Sequence, residues 1–377
     1  MILFISNMFR IPWGGSEELW TRTAAVLAKQ GVVVEASVCG WPQLDRRICE
    51  LSQAGVNVRP RPIKPSLITL ARRHLLSQKT QIVFDIERSF GRTSPALVAI
   101  SNAYGDQPIE IGEMCITKGW PFIILTHSSL PDWWPSGETA ARGREVLQSA
   151  RRCFFVSESS RVLTEKQLGH RFENAEVVRN PILIDVDSPI PWPDGADKEL
   201  RMACVGRLSP EKGQDILLEV LADPRWTKRS WRLTFYGNGT TRDVLERLVG
   251  RFGLQDRVAF AGHVPVEEIW RENHLLVMAS RCEGGPMATI EAMFCGRPAV
   301  VTNVGSNPEV IKDGFTGFLA PAAAVECFSE SLERMWEQRD GLEKIGLRAA
   351  DRIRQIMPSD PVEIFARKLL GLARSRD

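Results

Sequence analysis

The sequence predicts an α/β protein of two parallel-sheet domains, and three observations carry that reading. Short apolar runs rich in Ile, Val and Phe alternate with helical patterns through both halves of the chain. A proline-rich, turn-forming stretch at 179–199 interrupts the alternation once, and the pattern then restarts. The length of 377 residues exceeds a typical single core and suits two of ordinary size.

In the first half the expected strands are ILFIS (2–6), GVVVEASV (31–38), QIVFDI (81–86), PFIILT (121–126) and CFFVS (153–157). Near-continuous apolar strands separated by helices form a sheet covered on both faces. SEELWTRTAAVLAKQG (16–31) reads as a helix with Ser16 as its N-cap and Gly31 as its stop. The second half offers RMACVG (201–206), WRLTFYG (231–237), RVAFAG (257–262), HLLVMAS (274–280) and RPAVVTN (297–303). Pro358 and Pro361 then precede a last helical stretch. The expected division is a first domain at 1–190, a second at 191–357 and a C-terminal helix at 358–377 that crosses back to the first. Open α/β sheets bind ligands at the carboxyl ends of their strands. The expected site is therefore the cleft between two such domains.

Composition narrows the class. A net charge of +2 does not suit nucleic acid as a partner. The eight cysteines form no C-x-x-C pair, which speaks against a zinc site or a disulfide framework. MILFISNMF lacks the charged leader and long apolar run of a secretory signal, and no stretch nears the roughly 20 apolar residues of a membrane span. A cytoplasmic protein with reduced thiols is expected. Between Glu50 and Asp85 every charge is basic: Arg59, Arg61, Lys64, Arg72, Arg73 and Lys79. The segment 59–79 reads either as a peripheral contact with anionic lipid at the inner membrane face or as a solvated connection, with Leu67, Leu70, Leu75 and Leu76 as its buried face.

Chemistry concentrates at the strand ends of the second half. VGRLSPEKGQDILLE presents Arg207, a planar fork, and Lys212, a point charge, beside Gly206 and just before a helix near Gly213. YGNGTT places Gly237 and a second glycine after the next strand, where backbone can approach a ligand closely. EGGPMATIEAMFCGRPAVV sets Gly284, Gly285 and Pro286 before a helix whose first N–H groups come from Met287, Ala288 and Thr289. Such a helix start attracts phosphate oxygens. Glu283 and Glu291 would repel that anion but can accept hydrogen bonds from hydroxyl pairs on either side of it. A diphosphate flanked by two polyols is a nucleotide sugar.

From Arg201 to Leu319 these elements, with FAGHV and VGSNPEVIKDGFTGFL, resemble the retaining glycosyltransferases of family 4, which have the two-domain GT-B fold. Glu283 and Glu291 match the two ends of that family's E-x7-E signature. WGGSEELW, LTHSS and FFVSES extend the resemblance into the first half. It implies that Arg207 and Lys212 hold the donor diphosphate, aided by backbone at Pro286–Ala288 and by Gly14 and Gly15. It also implies that Glu291 binds the ribose, that Glu283 and His127 bind the donor sugar, and that backbone at His263 and Val264 lines the base. The implied partners are a nucleotide-diphosphate sugar and a glycan, lipid-linked or small-molecule acceptor, with no cofactor and no metal. Ser306 stands where a second glycine is usual, and Asn180–Pro181 where Asn-Gly is commoner.

Other readings bear on the same residues. Both glutamates could be acids favoured by a helix dipole, and His127 could be a packed histidine at a strand end. Asp185-x-Asp187 has the spacing of a metal-diphosphate motif but falls in the interdomain stretch, where we read it as coincidence. Trp133 and Trp134 could stack on an acceptor sugar or simply be buried in their loop. The rival functions are a nucleotide-sugar epimerase of the same fold and a catalytically silent sugar-nucleotide-binding scaffold.

Overall fold

The computed structural model describes residues 1–8, 13–42, 45–62, 81–102, 107–184 and 190–375. They fall into two compact units, Met1–Pro181 with Ser359–Asp377, and Ile182–Pro358. Most of the basic segment 59–79 and the pair Asp185 and Asp187 lie outside the described residues.

The first unit holds a seven-stranded parallel sheet. Its strands are β1 (Ile2–Ser6), β2 (Val34–Gly40), β3 (Asn57–Pro62), β4 (Leu97–Asn102), β5 (Phe122–Thr126), β6 (Arg152–Phe155) and β7 (Ala175–Val177). The order is β3-β2-β1-β4-β5-β6-β7, so the winding reverses between β1 and β4, paired from Ile2↔Leu97 to Ser6↔Ser101. Such a reversal is where open sheets place their ligands.

Two expectations for this unit are corrected. QIVFDI is not a strand but the start of the helix Gln81–Phe90. Its buried residues, Val83, Ile86 and Phe90, recur at helical spacing, and Gln81 Nε2 donates to Asp85 Oδ2 at 2.7 Å one turn on. The vacated place in the sheet belongs to β4, whose last two residues, Ser101 and Asn102, are polar yet buried. Their polarity broke the apolar pattern. Ser16 is not the N-cap either: Gly15 takes that position, Ser16 begins the helix Ser16–Lys29, and its hydroxyl makes no cap bond. Among the described residues β3 is an edge strand, where the prolines of a sheet are tolerated.

The C-terminal helix Pro361–Arg374 belongs to this first unit. Asp360 caps it by accepting from Glu363 N at 2.8 Å. It buries Phe365, Ala366 and Leu369 in the same core cluster as Leu19 and Leu27 of the helix Ser16–Lys29, and Phe365 meets Phe154 edge to face at 5.1 Å between centroids.

The second unit has six parallel strands, β8 (Leu200–Val205), β9 (Trp231–Tyr236), β10 (Val258–Gly262), β11 (Leu275–Met278), β12 (Ala299–Thr302) and β13 (Phe318–Ala320), ordered β10-β9-β8-β11-β12-β13. Its reversal lies between β8 and β11. The contact division falls after Pro181, near the start of the proline-rich stretch, and residues 190–193 of that stretch are tied to this unit. Arg297, 1% exposed, donates to Ile190 O at 3.1 Å and Pro191 O at 2.6 Å, and the ring of His274 bonds Pro193 O at 3.2 Å. A buried guanidinium persists here because backbone carbonyls satisfy its fork. All eight cysteines carry free thiols.

Phe365→Ala should destabilise the first unit by about 3–5 kcal/mol, the usual cost of emptying a buried aromatic site. Denaturant unfolding followed at Trp20, which shares that core cluster, measures it.

Candidate functional site

In the second unit the candidate residues gather at the β8–β11 reversal. After β8 the chain turns through Gly206 and Arg207 into a short 3-10 segment, Pro210–Lys212, and then the helix Gln214–Leu221. Gln214 Nε2 donates to Arg207 O at 2.8 Å, and Arg281 N donates to Glu211 O at 2.8 Å. The loop after β8 is thereby stitched to the loop after β11. Lys212 Nζ donates to both carboxylate oxygens of Glu283, at 2.8 and 2.9 Å. Ser280 Oγ donates to Glu283 Oε1 at 2.7 Å. The two side chains of the pair are 18% and 7% exposed, so their attraction is little screened. Arg207 differs. It is partly exposed and pairs with Glu211 at 3.3 Å, a contact worth under about 1 kcal/mol.

The glycines here answer first to other backbone. A Cβ at Gly237, where φ is +130°, would lie 2.1 Å from Gly206 O, so its smallness serves the meeting of two strand-end loops.

Glu283 precedes the helix Met287–Phe294, and Glu291 sits on its second turn, 5% exposed. Neither occupies the first turn, where a dipole would favour an acid. Met287 N donates to Gly285 O at 2.8 Å and Ile290 N to Pro286 O at 3.0 Å. The N–H groups of Ala288 and Thr289 have no intrahelical acceptor, as at any helix start. His263 is exposed at the end of β10, and among the described residues no hydrogen bond ties it to the Lys212–Glu283 pair; Val264 packs partly against the core.

In the first unit the β1–β4 reversal collects buried polar groups. Asn7 Nδ2 donates to Asn102 Oδ1 at 2.8 Å. His127 follows β5, is 5% exposed, and its Nε2 lies 3.1 Å from Ser101 Oγ. Burial lowers its pKa to about 3, so the ring is neutral at pH 7. Among the described residues nothing hydrogen-bonds its Nδ1. A buried ring nitrogen left unpaired is uncommon. Gly14 and Gly15 lead into the helix Ser16–Lys29. Trp13 Nε1 and Arg47 Nη1 both donate to Glu18 Oε1, each at 2.9 Å, and so fix that turn. Trp134 is 57% exposed, whereas Trp133 lines a cavity of about 60 Å³ with Ile109, Ile124, Leu130, Leu147 and Leu168.

Comparison with known proteins now has geometry to meet. Residues 191–352 match the family model described as glycosyl transferases group 1. That match lies within the second unit. The chain is 30% identical over 159 residues to the alpha-D-kanosaminyltransferase of Streptomyces kanamyceticus, covering 41% of each chain. It is 27% identical over 231 residues to a GDP-mannose-dependent alpha-(1-6)-phosphatidylinositol monomannoside mannosyltransferase of Mycolicibacterium smegmatis, covering 56% of this chain and 59% of that one. The matches thus span about half of those relatives or less. Over the whole length the structure resembles Anabaena Alr3699/HepE in complex with UDP-glucose, at a TM-score of 0.76 and 19% identity, covering 98% and 99% of the two chains. It also resembles the sucrose-phosphate synthase of Thermosynechococcus elongatus, at 0.73 and 16%, covering 99% and 98%. At such identities the likeness is one of fold. The fold is GT-B.

Within the second unit, sequence reading missed Ser280, Arg281 and the bond made by Ser306. Ser280 and Arg281 follow β11 directly, and the rule that ligands meet strand carboxyl ends could have flagged them. Among the described residues no cluster of three His, Cys, Asp or Glu side chains could hold a metal, and no helix is long and apolar enough to cross a membrane.

One acid in the first unit carries a pH prediction. Glu17 is buried at the foot of the Gly14–Gly15 turn, accepts from Ser6 Oγ at 2.9 Å, and has its pKa raised by burial to about 7. A raised acid pKa means the native state binds the proton more tightly than the unfolded chain. Stability should therefore fall as pH rises from about 4.5 to about 7, by about 3 kcal/mol at roughly 1.4 kcal/mol per unit. Denaturant titrations should find Glu17→Gln near neutral at pH 4.5 and stabilising at pH 8.

Proposed function

We propose that the protein is a retaining glycosyltransferase of family 4 that moves a sugar from a nucleotide-diphosphate sugar to a hydroxyl acceptor. The observation that carries this reading is the Lys212–Glu283 pair beside the start of the helix Met287–Phe294. It sets a cation and a carboxylate where a diphosphate and its sugar would adjoin. An ammonium has three donors, and two go to Glu283, so one remains for a phosphate oxygen. A carboxylate has about four acceptor positions, of which Lys212 and Ser280 use three, so one remains for a sugar hydroxyl. Lys212 need not release Glu283 for both to bind a donor.

In this reading Arg207 and the first N–H groups of the helix share the diphosphate charge, and Glu291 takes the ribose. In the first unit, neutral His127 offers its Nδ1 as a hydrogen-bond partner for a sugar hydroxyl. As the sugar–phosphate bond breaks, the leaving oxygen takes the proton of the acceptor hydroxyl and the acceptor oxygen bonds the sugar on the same face. Charge grows on the diphosphate during that step, so Arg207 and Lys212 act most in the transition state. No protein nucleophile or divalent metal is needed. Relatives named for kanosaminyl and GDP-mannose-dependent mannosyl transfer, and a neighbour holding UDP-glucose, support the reaction class and leave the base to be measured. The reading places the acceptor, a glycan, lipid-linked or small molecule, with the first unit, where exposed Trp134 offers it an aromatic face. It also keeps the protein cytoplasmic.

The test is incubation with UDP-, GDP- and ADP-sugars in EDTA, following nucleotide diphosphate release. One donor class should be hydrolysed slowly, and Arg207→Ala should lower that rate about a hundredfold or more. Arg207 is the better probe because it is partly exposed, while removing Lys212 would also strand a buried carboxylate. Absence of binding to all donors would overturn the reading. Conversion of the donor without diphosphate release would replace it with epimerisation.

A further inference from the structure

Ser306 is fully buried in the loop after β12, and its Oγ donates to Gly284 O at 2.6 Å. Its neighbour Gly305, at φ +54°, lies so close that a Cβ there would stand 1.8 Å from Glu283 O. Two successive carbonyls of the loop before the helix Met287–Phe294 therefore rest against residues 305 and 306. Asn307 extends the contact by donating to Thr302 O at 3.0 Å and accepting from Thr289 Oγ1 at 3.1 Å.

The 284–285 peptide is planar and trans, so the Gly285 N–H points opposite to the Gly284 carbonyl. The carbonyl is held toward the interior by Ser306. The N–H accordingly points away from Ser306, in a stretch where Gly284 and Gly285 are both half-buried. In sequence it lies between Glu283 and the helix Met287–Phe294.

We propose that Ser306 is a positioning residue: by holding the Gly284 carbonyl, it presents the Gly285 N–H to the phosphate of the donor farther from the nucleoside. This rests on the nucleotide-sugar reading and adds a specific donor to it. A glycine at 306 could not make the bond. The peptide would then rotate more readily, and the N–H would be ordered only when the ligand arrives.

Isothermal titration of the full-length protein with UDP, GDP and ADP, and with the matching monophosphates, tests the inference. For the base that wild type prefers, Ser306→Ala should weaken the diphosphate about tenfold and leave the monophosphate within about twofold. Gly285→Pro, which deletes the N–H and leaves Ser306 in place, should reproduce that selectivity. An unchanged diphosphate affinity in both variants overturns the positioning role. So does equal weakening of diphosphate and monophosphate in both, the pattern of general damage to the loop. If wild type binds no nucleoside diphosphate, the donor reading fails first and this inference falls with it.

Discussion

The ion pair between Lys212 and Glu283 is the constraint around which the second unit's site is arranged. It joins the loop after β8 to the loop after β11 across the reversal of the sheet. With side chains 18% and 7% exposed, neither charge could stand there alone without a large desolvation penalty. Other contacts hold the two loops at the separation the pair needs. Arg281 bonds Glu211 O, Gln214 bonds Arg207 O, and Ser280 takes up one carboxylate lone pair. Glycine contributes by absence, since side chains at 237 or 305 would force neighbouring loops apart.

That arrangement separates groups that are built in from groups that can adapt. Lys212 and Glu283 are locked to each other, and the helix start is fixed by Met287 N on Gly285 O and Ile290 N on Pro286 O. Arg207 is held loosely by Glu211 at the surface. In the proposed reaction the locked groups need little reorganisation as charge develops, which is the condition for electrostatic stabilisation to lower a barrier. The flexible arginine can follow the leaving group.

Much of this was legible in the sequence, for a physical reason. Strands buried on both faces must be continuously apolar, so all but one of the strands that ILFIS, PFIILT, RMACVG and their like suggested are present. The one failure, QIVFDI, is a short apolar run whose periodicity shows only with the following residues, Phe90 above all. β4 was hidden by the property that makes it matter: its end carries Ser101 and Asn102 into the interior, where they meet His127 and Asn7. The charged residues of the site were readable because their spacing in GRLSPEKG and EGGPMATIE is local. Their pairing was not, since Lys212 and Glu283 are distant in sequence and their contact depends on how two loops fold against each other.

The two reversals differ in electrostatics as well as in sequence. In the second unit the polar groups are charged, and they are stabilised as charges by direct pairing. In the first, burial acts against charge: His127 is driven neutral, and Glu17 is pushed to about 7, where half of it is protonated near neutral pH. A cationic imidazole would attract an anion. A neutral one can only exchange hydrogen bonds, which suits a hydroxyl-rich sugar better than a phosphate. The burial that depresses the histidine thus suits it to hydroxyls, whereas the paired charges of the second unit suit an anion.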